Sequence, residues 1–150
     1  MISTAMNSLN SWLIIHGFDP ANLELRGSNG DTALMKAVQA EATEVVRSLL
    51  AAGVDVNVRN MDGNNALWFA CFRDRIDLIE WLLSASINLN NQNDNGATAL
   101  MYTASAGKTE IVKTLLAAGA NAQLKNLDDF RAIDFAANRE ILGLLKHAAV

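Results

Sequence analysis

The chain has 150 residues, 51% of them apolar and 19% charged, with a formal net charge of −4. That balance suits a globular domain with a sizeable buried interior, and the acidic surface argues against bulk binding of a nucleic-acid backbone. A single cysteine, Cys71, excludes an intrachain disulfide and fits a reducing, cytoplasmic setting; no apolar run reaches the ~18 residues of a membrane span.

The first ten residues carry no basic side chain ahead of the apolar run 12–15, so the start does not have the pattern of a secretory signal. Trp12, Leu13, Ile14 and Ile15, followed by Gly17, predict a short helix with a glycine cap. Asn22, Leu23, Glu24, Leu25 and Arg26 lead out of it. From residue 27 the chain repeats itself every 33 residues, over 27–59, 60–92 and 93–125. Six columns are identical in all three units: Gly30/Gly63/Gly96, Ala33/Ala66/Ala99, Leu34/Leu67/Leu100, Leu49/Leu82/Leu115, Leu50/Leu83/Leu116 and Ala52/Ala85/Ala118.

Each unit opens on a turn pair, Asn29-Gly30, Asp62-Gly63 or Asn95-Gly96, because Asn and Gly tolerate positive φ at little cost. These turns predict the tips of two-stranded fingers. Thr32, Asn65 and Thr98 suit helix N-caps. Leu34, Ala37 and Val38 fall at i, i+3 and i+4, the apolar stripe of a first helix over about 32–40. Val45, Val46, Leu49 and Leu50 mark a second helix over about 42–51. Gly53 and Gly119 stand where a left-handed C-cap wants glycine, and Ser86 takes their place in the middle unit. Val54, Asp55, Val56 and Asn57 then run on as an extended strand. One such unit cannot bury its own stripe, so neighbours must stack into a solenoid with Leu83 and Leu116 in its core.

The period and these columns resemble the ankyrin repeat. The resemblance implies an all-α solenoid of stacked repeats, each a helix pair plus a β-hairpin finger, in one domain over 1–150. Residues 1–26 form an N-terminal cap and 126–150 a C-terminal one, where Ile141, Leu142, Leu144 and Leu145 mark the last helix. The family's Pro is Ala33, Ala66 and Ala99 here, and its His is Met35, Trp68 and Met101, with Asp134 in the cap. Loss of that His predicts a weaker finger network, or one replaced by apolar packing. The family's interhelical Gly is present at Gly107 but is Glu41 and Asp74 elsewhere, and Asp74 is a candidate N-cap.

The resemblance also implies partner binding on a concave side made of finger tips and first helices. By register the candidates are Asn29, Asp31, Lys36, Gln39, Met61, Asp62, Asn64, Phe69, Phe72, Arg73, Asn95, Tyr102 and Ser105. Phe69, Phe72 and Arg73 share one stripe of the middle unit, and aromatic and Arg side chains at the centre of a surface are the usual makings of a hot spot. Phe69 and Tyr102 alternatively pack on each other between layers. The carboxylates Asp31, Asp62, Asp94, Asp128 and Asp129 recur at the fingers, either as an acidic ridge for a basic partner or simply as turn residues. Trp81 lies on the outer face, and Cys71 replaces a core alanine. His16 and His147 sit in opposite caps, so neither a metal site nor a catalytic dyad has its parts. The expectation is a monomeric, non-catalytic protein-binding module without cofactor, nucleic-acid or membrane partner; docking in an assembly through the caps or convex face is the alternative.

Overall fold

In the computed structural model, which describes residues 4–148, each first helix starts at a side-chain cap set by the repeat. Thr32 Oγ1 accepts from the Met35 N–H and Thr98 Oγ1 from the Met101 N–H, both at 3.1 Å, and Asn65 Oδ1 accepts from the Leu67 N–H at 3.1 Å. These caps open α2 (Ala33–Gln39), α4 (Ala66–Phe72) and α6 (Ala99–Ser105). A sharp turn at Glu41, Asp74 or Gly107 leads to the second helices α3 (Thr43–Ala51), α5 (Ile76–Ser84) and α7 (Thr109–Ala117). Gly53, Ser86 and Gly119 end them with φ of 77°, 64° and 94°. The next N–H in each case returns to the carbonyl of Leu49, Leu82 or Leu115, which closes the last turn.

The caps use α1 (Thr4–Ile15) at one end and α8 (Arg139–Ala148) at the other. The C-terminal unit has a single 3₁₀ turn, Ala132–Phe135, in place of a first helix. Asn138 Oδ1 then takes the Ile141 N–H at 2.8 Å and starts α8.

First helices pack closely along the stack, α2 on α4 and α4 on α6, while α3, α5 and α7 stand further from one another. Alanines make the difference: Ala66, Ala70, Ala99 and Ala104 are buried and bring the backbones together. The first-helix side is therefore the concave one. The core runs continuously from Leu13 through Leu49, Leu82 and Leu115 to Ile141 and Leu145, all with no exposed surface. Leu50, Leu83 and Leu116 are only half-buried. The core leucine is thus the first of each pair, not Leu83 or Leu116. Val46 and Leu49 lie i, i+3 towards the first helix, and Val45 and Leu50 flank them.

The fingers differ from the sequence expectation in kind. No β-ladder forms among the described residues outside an isolated bridge between Asp19 and Asn22. Side chains compete for the backbone groups instead. In the expected strand over 54–57, the Asn57 N–H turns back to Asp55 Oδ1 at 2.9 Å. At the tip, Asn60 Oδ1 accepts from both the Asp62 and Asn64 N–H groups; Asn93 and Asn126 repeat this one and two units on. Successive fingers are tied by one backbone rung each. Met61 N–H donates to Asn29 O at 2.9 Å, Asp94 to Asp62 O at 3.0 Å and Leu127 to Asn95 O at 3.1 Å. Met35 and Met101 at the missing-His position are buried. The finger network is therefore rebuilt from asparagines and backbone rungs, with apolar packing beneath it.

Candidate protein-binding surface

Helix α4 presents Trp68, Phe69, Phe72 and Arg73 at the centre of the concave side. Phe72 is 56% exposed although it is a large apolar side chain. Trp68 and Phe72 lie i, i+4 along one ridge, and Tyr102 of the next repeat packs against both, with ring centroids 4.9 and 6.4 Å away. Tyr102 therefore does not pair with Phe69, as the register alone suggested. Two shallow depressions meet at Trp68. One, of ≈ 310 Å³, is lined by Gln39, Asp62, Asn64, Trp68, Phe69, Phe72 and Arg73. The other, of ≈ 180 Å³, is lined by Trp68, Ala97, Met101, Tyr102, Ser105 and Phe135.

A lysine from the following repeat supports this cluster. Lys108 Nζ lies 2.7 Å from Asp74 Oδ1 and donates to the last-turn carbonyls of Cys71 (3.0 Å) and Phe72 (3.1 Å). The ammonium thus caps the negative end of α4. It also stands 5.8 Å from the Phe72 ring centroid and 5.3 Å from that of Tyr102. Burial penalises its charge, but Asp74 and Tyr102 outweigh that penalty and hold its pKa above the usual lysine value. Arg75 makes the matching link one repeat earlier, 3.3 Å from Glu41 and 2.8 Å from Asp77. Asp74 therefore does not cap α5: it adopts φ 57° in the interhelical turn and receives Lys108.

The predicted residues separate into groups. Gln39, Asp62, Asn64, Phe69, Phe72 and Arg73 gather around the larger depression, and Tyr102 and Ser105 around the smaller. Asn29, Met61 and Asn95 lie along the finger ridge, with Met61 73% exposed. Lys36 is exposed on α2 and lines neither depression. Several are held within the fold. Asn64 is buried and accepts from Asn93 Nδ2 at 3.1 Å. Asp31 takes Asn60 Nδ2 at 2.9 Å on one oxygen and Gln39 Nε2 at 2.8 Å on the other. Asp62 accepts from Asn29 Nδ2 at 2.8 Å. Two side chains of this surface lie outside the positions named by register: Trp68, at the missing-His position, and Lys108, whose cross-repeat role was visible only in the pairing of acidic 41 and 74 with basic 75 and 108.

Outside this face, Trp81 is half-buried on the convex side with the Arg47 guanidinium 4.9 Å from its ring centroid. Cys71 is buried, and burial pushes its thiol up to about 12, partly countered by Lys108 and reinforced by Asp74. It is an inert thiol. Among the described residues no three His, Cys, Asp or Glu side chains are placed to hold a metal ion, and no helix is long and apolar enough to cross a membrane.

None of the curated proteins matches the chain. Among solved structures, the crystal structure of the ankyrin repeat domain of Bcl-3, described there as a unique member of the IkappaB protein family, superposes with a TM-score of 0.81. It is 27% identical and the match covers 97% of this chain and 68% of that one. The family model of ankyrin repeats in three copies matches residues 2–93 and 85–149. Period, caps, stacking and these matches agree, and the chain belongs to the ankyrin-repeat family.

Proposed function

We propose that this protein acts without catalysis, by holding a partner protein on the concave face at Trp68, Phe69, Phe72, Arg73 and Tyr102. Ankyrin-repeat domains generally mediate protein–protein interaction. The observation that carries the reading is the exposed Phe72, continuous with Tyr102 and Trp68 across two repeats. Aromatic and Arg side chains at the centre of such a surface contribute most of the affinity. Gln39, Asp62, Met61, Asn29, Asn95, Lys36 and Ser105 form the polar surround, while Asp31 and Asn64 shape its wall from within. The test is affinity capture from the native source with the wild type beside the Phe72→Ala/Arg73→Ala variant. A partner held by the wild type should lose about 2–4 kcal/mol of binding to the variant, at unchanged melting temperature. A partner held equally by both moves the site elsewhere.

One observation favours docking through the N-terminal cap instead: Ile14 and Ile15 are 65% and 78% exposed on α1. The cap reading also draws on Trp12 and the apolar tail 148–150: Trp12 is half-buried between His16 and Phe18, Ala148 is exposed, and 149–150 lie outside the described residues. Hydrogen exchange in the complex separates the two. Protection confined to α1 supports the cap; protection of α4 and α6 supports the concave face.

A further inference from the structure

Resting on the concave face as the working surface, we infer what it receives: a short segment in which a large apolar side chain stands next to a carboxylate. The apolar side chain covers Phe72 and Tyr102, and the carboxylate meets Arg73, with Lys36 one repeat away. The inference comes from which charged side chains the fold leaves without a side-chain partner. Asp74 and Glu41 face Lys108 and Arg75. Asp94 lies 3.7 Å from Arg59, and Asp129 lies 3.3 Å from Lys125. Neutral amides hold both oxygens of Asp31 and one oxygen of Asp62. Of the finger carboxylates only Asp128, at the C-terminal finger, has no side-chain partner among the described residues.

Two exposed cations of the first-helix side, Lys36 on α2 and Arg73 at the C-cap of α4, show the opposite condition. Neither Arg73 nor Lys36 meets a carboxylate or donates a side-chain hydrogen bond among the described residues. Arg73 stands with its guanidinium 5.9 Å from the Phe72 ring centroid. A planar two-pronged donor therefore borders the exposed apolar ring, and such a fork matches a carboxylate better than any other side chain. A basic anchor at the same place would meet the like charge of Arg73, while Asp62 has one oxygen already held by Asn29. The net charge of −4 does not oppose the contact at short range, because exposed charges further off than about 8 Å are largely screened at physiological salt. The finger carboxylates thus serve turn geometry and cross-finger bonds, while Arg73 borders the exposed ring with no carboxylate of its own.

The test uses the whole chain and a displayed library of random peptides. Peptides are selected on the wild type and sorted by whether Phe72→Ala abolishes their binding. The inference expects the Phe72-dependent peptides to carry Asp or Glu beside an aromatic or long aliphatic residue. Arg73→Gln, or replacing the peptide's acid by its amide, should each weaken binding about tenfold. Arg73→Glu should regain affinity for the peptide whose acid is changed to Lys. Phe72-dependent peptides without an acid, or affinity unmoved by Arg73→Gln, overturn the inference and leave the concave surface standing. A selection in which no binder depends on Phe72 overturns the surface as well. Thermal melts of each variant show whether a loss reflects unfolding.

Discussion

Glu41, Asp74 and Ser86 all hold positive φ, at 54°, 57° and 64°, where a side chain costs about 1–2 kcal/mol over glycine. The first two recover part of that cost: Arg75 and Lys108 reach back from the next repeat to their carboxylates. The Ser86 side chain makes no such link among the described residues. Ser86→Gly should therefore raise stability by about 0.5–1 kcal/mol, read from urea unfolding. Asp74→Gly should bring no gain, because it relieves the backbone but strips Lys108 of its carboxylate. An equal gain at both positions would show that the Lys108 link has no energetic weight. The strained C-cap at Ser86 was legible from the repeat alone, since Gly53 and Gly119 fill the same column. The role of Asp74 was not. Asp-x-x-Asp before a helix has the form of an N-cap, and only the approach of Lys108 from 34 residues on, in space, selects the other use.

At the scale of the element, the finger explains why glycine is kept at 30, 63 and 96. Gly96 combines φ 75° with a neighbour so close that a Cβ would lie 2.8 Å from the Leu127 backbone nitrogen and 2.9 Å from Asn126 Cα. The rung from Leu127 to Asn95 draws the two fingers to that distance. At Gly53 the φ is similar, 77°, but nothing lies within 4 Å. Gly96→Ala should then cost at least about 2 kcal/mol, and Gly53→Ala about 1 kcal/mol. Thermal unfolding gives the comparison, and faster exchange of the Leu127 amide in Gly96→Ala marks the broken rung. Equal costs would mean that conformation alone, without the finger contact, keeps the glycine. The turn at the tip was plain from Asn-Gly and Asp-Gly. The absence of a ladder was not, because Val-rich alternation at 54–58 has the form of a strand while Asp55 and Asn57 take the backbone groups a strand would share. The recurring Asn60, Asn93 and Asn126 carried the signal for the replacement network.

In the whole molecule, stability passes from repeat to repeat through the buried leucines. Leu82→Ala should cost about 2–5 kcal/mol, and Leu83→Ala distinctly less, since Leu83 keeps one side in water. The loss at Leu82 should not stay local. A central unit in a stack closes the core of both neighbours, so amides of α2 and α6 should exchange faster along with those of α4 and α5. Hydrogen exchange on the two variants checks this; a loss confined to α4 and α5 would mean that the repeats fold independently.

The sequence by itself determined the architecture. A period of 33, caps at fixed offsets and one apolar stripe per helix leave stacking as the only way to bury those stripes, so repeat, helix pair and solenoid follow from local chemistry. It also singled out Phe72 and Arg73, because Phe72 stands where the other repeats have Gln39 and Ser105, and Arg73 where they have Ala40 and Ala106. Tertiary structure decided what crosses from one repeat to the next. Which leucine of a pair is core, which ring Tyr102 meets, which carboxylate is already answered and which cation is left free all depend on the offset between stacked layers. Asn29 meets Asp62 at the same register position in the fingers, whereas Phe69 and Tyr102, also one repeat apart, do not pair on the first helices; a repeat read column by column does not contain that offset.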